Sequence, residues 1–260
     1  MSVRSAWEKW WFQDAPYFDL AVLRVAAIGL QCFLLLSKIF GEMIYVIGLP
    51  TDLYAPLPLM RVFMLPWGWG ARPDGQAMMV IFWVTMVSGL TSFVGFRTTL
   101  SLWVFALGNL FVQAYIYSFH DFHHPEAIMI IGLVALALGP SGRVLSVDSW
   151  IRNKSVHVGE SVAVLDYVGR YAHWPIKFLQ CYFPLMYLSA EASKLATSSL
   201  TWANGYTLQY YFIHDNLRKG GDLALAMWAS QFHGALAAAQ VVVLVFQATF
   251  FLIVFFPKLR

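Results

Sequence analysis

AMMVIFWVTMVSGLTSFVGFRTTLSLWVFALGNLFVQAYIYSF, residues 77–119, decides the fold. Ala77–Phe96 is twenty residues and Thr98–Phe119 is twenty-two, and neither run holds an Asp, Glu, Lys, Arg or His. Arg97 alone divides them. A helix needs about 20 apolar residues to cross a hydrocarbon core of about 30 Å. Only helices and closed barrels satisfy every backbone group in lipid. The runs are continuous rather than alternating, so they predict a helical hairpin in a membrane.

The rest of the chain fits that solvent. It is 59% hydrophobic and 12% charged, where soluble domains average about 25% charged. Further apolar runs predict spans over 20–48, 126–140, 176–196 and 223–256, beside 77–96 and 98–119. The expected fold is therefore all-α: a polytopic integral membrane bundle of about six transmembrane helices with interfacial helices. No internal repeat or low-complexity linker divides it, so residues 1–260 read as one transmembrane domain. Segment 1–19, with WEKWW at 7–11, reads as an interfacial helix with tryptophans at headgroup depth rather than a cleavable signal. Segment 49–76 holds five prolines with few charges and reads as a loop that hugs the membrane. The last run, 34 residues, reaches about 51 Å as one helix. It must tilt or break, and the break is expected near His233–Gly234.

Charge sets the expected orientation. With the N-terminus inside, ten Lys and Arg face inward: Arg4, Lys9, Arg97, Arg143, Arg152, Lys154, Arg170, Lys177, Lys258 and Arg260. Four face outward: Arg61, Arg72, Arg218 and Lys219. Three, Arg24, Lys38 and Lys194, lie within spans. The net charge of +3 with no basic cluster among exposed aromatics argues against nucleic acid as a partner; the lipid bilayer is the expected one. Cys32 and Cys181 fall inside spans and read as small buried hydrophobes.

Candidate chemistry gathers in a few places. YLSAEASKLA, residues 187–196, puts Glu191 and Lys194 three apart on one helix face, where charge is costly. Lys194 reads either as a general base or as half of a structural ion pair with Glu191. Lys38 and Glu42, four apart, can pair on the first span. In SFHDFHHPEA, residues 118–127, His120, His123 and His124 have a spacing that would suit a metal on a helix. Pro125 pushes His124 out of helical geometry, so no metal is expected and a polar turn or an acid–base histidine fits better. GPSGRVLSVDSW, residues 139–150, offers Ser146 and Asp148 as helix N-caps. LTWANGYTLQYYF, residues 200–212, holds a Gly turn among aromatics such as Trp202, which either anchor at the interface or wall a site for a flat apolar ligand such as a quinone. His233 reads as packing or as a pocket residue at the expected break.

In order, LAVLRVAAIGL (20–30), GFRTTLS (95–101), SVD (146–148), HWPIKFLQCYFPLMYLSAEASKL (173–195) and TWANGYTLQYYF (201–212) resemble the vitamin K-dependent gamma-carboxylase-like membrane domain, also called the horizontally transferred transmembrane (HTTM) domain. The likeness lies in a Trp-Pro start, a Tyr-x-x-Ala stretch opened by Tyr187, Lys-Leu at 194–195, and Trp-x-x-Gly from Trp202. It implies a reduced quinone as cofactor, of the vitamin K hydroquinone kind. It matches Lys194 to the base that deprotonates that quinol and His124 to a histidine that assists at the substrate. Glu191 lies off the motif and reads as a neighbour that tunes or neutralises Lys194; with it, His123, His120, Tyr187, Trp202 and His233 are the supporting candidates. Phe122 and His123 stand where the family usually has asparagine before its histidine. The carboxylases also continue through further spans and a large extramembrane domain, so the resemblance is to a short form. It implies a bacterial-type plasma membrane, a site on the outer face and a peptide or small substrate. An alternative function is a non-catalytic membrane partner or maturation factor for a secreted peptide. A transporter ranks last, because charge is concentrated near the outer face and in span one.

Overall fold

A computed structural model of the chain describes residues 3–119, 125–154, 167–218 and 223–255. Among these, the architecture is all-α apart from one two-residue antiparallel pairing, Ala15–Pro16 (β1) with Val168–Gly169 (β2). The chain divides into two compact units, Met1–Leu179 and Gln180–Arg260.

In the first unit, α1 (Val3–Trp11) precedes a long apolar rod. α2 (Tyr17–Leu34) passes through a π-helical turn, Leu35–Ile39, into α3 (Phe40–Ile47). Lys38 and Glu42 lie 4.0 Å apart beside that turn, as their spacing predicts. The hairpin read from residues 77–119 is α5 (Gly75–Val94) and α6 (Thr98–Tyr117). The rod Tyr17–Ile47, α5 and α6 are each long and apolar enough to cross a membrane.

These helices turn one apolar face inward and another outward. Met78, Phe82 and Met86 of α5 pack with Leu102, Phe105 and Val112 of α6, together with Ile28 and Leu35 of the rod. Val80, Val84, Val87 and Leu90 remain exposed on α5, as do Leu100 and Leu107 on α6. Such a continuous apolar exterior suits a surface that meets lipid. Between helices in lipid the hydrophobic drive is small, so close packing and polar contacts hold them together. Gln31 of α2 donates to Asn109 of α6 at 2.7 Å, both fully buried. Ser88 and Ser92 donate to carbonyls one turn back on their own helix, so neither hydroxyl is left free.

One end of this unit is closed by segment 49–76. It folds back through α4 (Pro58–Phe63), with Met60 fully buried. Ala55 and Leu57 donate to Ser118 at the end of α6. Arg72 donates to the carbonyls of Val46, Ile47 and Leu49 at 2.9–3.2 Å and lies 4.9 Å from the Phe119 ring. It thus satisfies the carbonyls that end α3.

The opposite end is a polar knot. α7 (Pro125–Leu138) packs along α6 and returns the chain to the α5–α6 turn. Arg24, fully buried, donates to the carbonyls of Ser141 at 2.9 Å and Leu145 at 2.5 Å in the turn after α7. Ser146 caps α8 (Val147–Lys154) by accepting from the Ser149 amide at 2.9 Å, and Ser149 returns the bond at 3.2 Å. Asp148 does something else. Its carboxylate accepts from the amides of Arg97 and Thr98 at 2.8 and 2.7 Å and from the Thr98 hydroxyl at 2.7 Å. It therefore caps α6 from fifty residues downstream. Gly95 ends α5 with φ +75°, and a Cβ there would lie 2.3 Å from Ser146.

The second unit holds the C-terminal part of α9 (His173–Ser198), α10 (Tyr206–Arg218), α11 (Ala224–Ala229), α12 (His233–Thr249) and α13 (Leu252–Phe255). The long last run is broken, as its length requires. The main break is Ser230–Phe232, immediately before His233, and a second falls at Phe250–Phe251. Gln209 of α10 donates to the Ser230 carbonyl at 2.9 Å, which satisfies a group freed by the break.

Candidate functional site

The second unit gathers most of the described candidate residues on two helices. Tyr187, Glu191 and Lys194 recur four and three apart, on one face of α9. α12 presents Gln240, Leu244 and Gln247 at matching intervals. The Lys194 amine donates to the Gln247 side-chain oxygen. It stands 4.0 Å from Oε2 of Glu191 and 4.4 Å from the centre of the Trp202 ring. A cation over an indole face is attracted by the ring quadrupole, more so when desolvated. The side chain of Lys194 is 23% exposed and that of Glu191 4%. The Lys194 side chain is therefore part-exposed, while that of Glu191 is enclosed.

Glu191 carries an unmet demand. Its Oε2 is buried and accepts no hydrogen bond among the described residues. Buried polar atoms are nearly always paired, so an orphan in a helix interface marks a place for a donor. Two proton-handling groups and an aromatic face stand side by side. The carboxyl can accept from a hydroxyl, the amine can exchange a proton, and the indole can stack on a flat ring.

Trp202 is held in place from α12. Its carbonyl accepts from Gln240 Nε2 at 2.8 Å, and the same amide's oxygen accepts from the Gly205 N–H. Gln240 is 1% exposed. Gly205 has φ +88°, and a Cβ there would lie 2.8 Å from the His233 ring and 2.9 Å from its carbonyl oxygen. Only glycine lets this turn meet the start of α12 so closely. His233 packs against the turn and against Tyr206, with ring centres 4.2 Å apart. It thus helps fix the turn that carries Trp202. Tyr187 packs against Phe246 and Phe250 at 6.0 and 5.6 Å, extending the aromatic wall along α12.

His120, His123 and His124 lie outside the described residues. No group of three His, Cys, Asp or Glu side chains is arranged for a metal among the described residues. Sequence reading singled out Lys194, Glu191 and Trp202 but passed over Gln240 and Gln247. Two uncharged amides seven apart on an apolar helix were the available signal. No family model matches the chain, nor does any curated protein or solved structure.

Proposed function

We propose that this chain is a six-span membrane protein of the carboxylase-like kind, in which Lys194 serves as a base toward a reduced quinone. The observation that supports this most directly is the grouping of the Lys194 amine, the orphaned Glu191 oxygen and the Trp202 face. That set fits a hydroquinone: an aromatic ring to stack and hydroxyls to meet an acceptor. When bound, the quinol would supply reducing equivalents for chemistry on a peptide or small substrate at the outer face. The contribution of the chain is narrower. Trp202 orients the ring, Lys194 as neutral amine accepts a hydroxyl proton and becomes the ammonium, and the Glu191 carboxyl oxygen stands 4.0 Å from that nitrogen. The resemblance of the Lys-Leu and Trp-x-x-Gly motifs points the same way, with His124 as the expected second group.

A second reading has its own support. The Lys194 amine already bonds Gln247 and so ties α9 to α12. In that reading the pair is a structural clamp, and the protein is a non-catalytic partner or maturation factor for a secreted peptide.

Mass spectrometry of lipid extracted from the purified protein, wild type beside Lys194→Ala, separates the two. The enzyme reading expects a quinone to co-purify, or to bind on addition of a reduced naphthoquinone. It also expects Lys194→Ala to keep binding and to lose at least 100-fold in quinol turnover, within the roughly 10²–10⁴ typical of a general base. No bound quinone in either protein would sink it. Unchanged peptide maturation by Lys194→Ala would favour the partner.

A further inference from the structure

The α5–α6 hairpin carries a groove on its outer side that the proposed chemistry does not use. It is a shallow, open trough of about 480 Å³, lined by Trp83, Val87, Thr91, Leu100 and Val104, with Arg97 at one end. Its walls are apolar for nearly their whole length. Arg97 lies in the turn just past the twenty-residue α5, whose length of about 30 Å matches the hydrocarbon core. The guanidinium therefore stands at headgroup depth if α5 and α6 cross a bilayer.

Arg97 is held there against preference. Its φ of 42° is left-handed, a region that favours glycine and asparagine. The Asp148 carboxylate fixes it by taking the backbone amide. The Arg97 side chain is exposed, and its guanidinium makes no hydrogen bond or ion pair among the described residues. Asp148 is the nearby acid, and its oxygens already accept two amides and a hydroxyl. An apolar trough ending in a guanidinium with no ion-pair partner among the described residues complements one chemistry: an acyl chain joined to an anionic head.

We propose that this groove binds an anionic glycerophospholipid, with one acyl chain along Trp83, Val87 and Val104 and its phosphate at Arg97. The occupant comes from the leaflet at the α5–α6 turn. One Arg near an anionic headgroup favours it about fivefold over a zwitterionic one at low salt.

The test uses the full-length protein in vesicles and reads Trp83. Trp83 emission is isolated as wild type minus Trp83→Phe. Dioleoylphosphatidylglycerol brominated on its chains is titrated into phosphatidylcholine vesicles, and brominated phosphatidylcholine serves as the comparison. Preference for the glycerol lipid of about fivefold is expected. It should fall as salt rises, vanish in Arg97→Asn and survive in Arg97→Lys. Asparagine tolerates the left-handed backbone, so the first variant removes charge without adding strain. Equal quenching by both lipids in the wild type overturns the proposal, as does a preference that Arg97→Asn retains. Quenching by neither lipid overturns it together with the crossing of the bilayer by α5. Failure here leaves the Lys194 reading untouched, because quinone binding is measured separately.

Discussion

Asp148 works on a helix that it does not belong to. Burial opposes its ionisation, but the hydrogen bonds from Thr98 and Arg97 and the charge of Arg152 outweigh burial and hold the carboxyl below its ordinary value. A group whose pKa is lower in the folded state stabilises above the unfolded pKa. That contribution is lost as pH falls through the folded pKa. Asp148→Asn keeps one acceptor oxygen but loses the charge and the second acceptor, so it is expected to melt below wild type at neutral pH by less than the roughly 0.5–2 kcal/mol of a cap replaced by alanine. The gap should close progressively below about pH 4, where the unfolded-state carboxyl titrates. Thermal unfolding of both proteins in detergent across pH 3–8 measures it, and a gap independent of pH would refute the ionic cap. The sequence marked Ser146 and Asp148 alike as cap residues. Ser146 caps the helix that follows it, which local spacing could show. The partner of Asp148 lies fifty residues upstream, and no local pattern encodes that. Lys194 and Glu191 were legible for the opposite reason: charge in an apolar run is conspicuous by itself.

At the scale of elements, α12 organises the second unit through amides rather than charges. Gln240 closes the Trp202–Gly205 turn, and Gln247 meets Lys194. Gln240→Leu would leave the buried Gly205 amide unpaired, at about 1–3 kcal/mol, and free the part-buried Trp202 carbonyl as well. Stability against denaturant should fall by that amount. The fluorescence of Trp202, taken by difference from Trp202→Phe, should shift to the red. An unshifted spectrum would mean that Gln240 does not hold the indole. Gly205→Ala should be worse, since its Cβ meets both the ring and the backbone of His233. Apolar runs told where helices lie but not which faces meet. Glutamine in a long hydrophobic run lowers hydropathy only slightly, so its role appears only when the partner helix is in view. The break before His233 was legible because a helix of 34 residues overshoots the bilayer.

For the molecule as a whole, the three helices long and apolar enough to cross a membrane were readable from composition, and the shorter or more charged ones were not settled by it. α7 has fourteen residues, and α9 carries Lys177, Glu191 and Lys194. A six-span chain puts Thr51 and Asn204 on one side and Arg143 on the other. If α7 stayed on one side, Thr51 and Arg143 would share a face. Single cysteines at these three positions, with Cys32 and Cys181 replaced by alanine, distinguish the cases. Labelling by an impermeant maleimide is expected for 51 and 204 from the same side and for 143 from the opposite side. A shared side for 51 and 143 would end the six-span reading.

The bond between Asp148 and the start of α6 also bears on the order of synthesis. A ribosome makes the α5–α6 hairpin some fifty residues before it makes the acid that seals the left-handed turn between them. Until then the first amides of α6 have only water or headgroups as partners, and Arg97 is free to leave its strained conformation. On the six-span reading the hairpin thus enters the membrane unlatched and is locked from behind, once α7 has brought residue 148 back to it. Nascent chains stalled so that residue 140 has emerged should expose the 95–98 turn to protease. Chains stalled with residue 154 clear of the machinery should protect it.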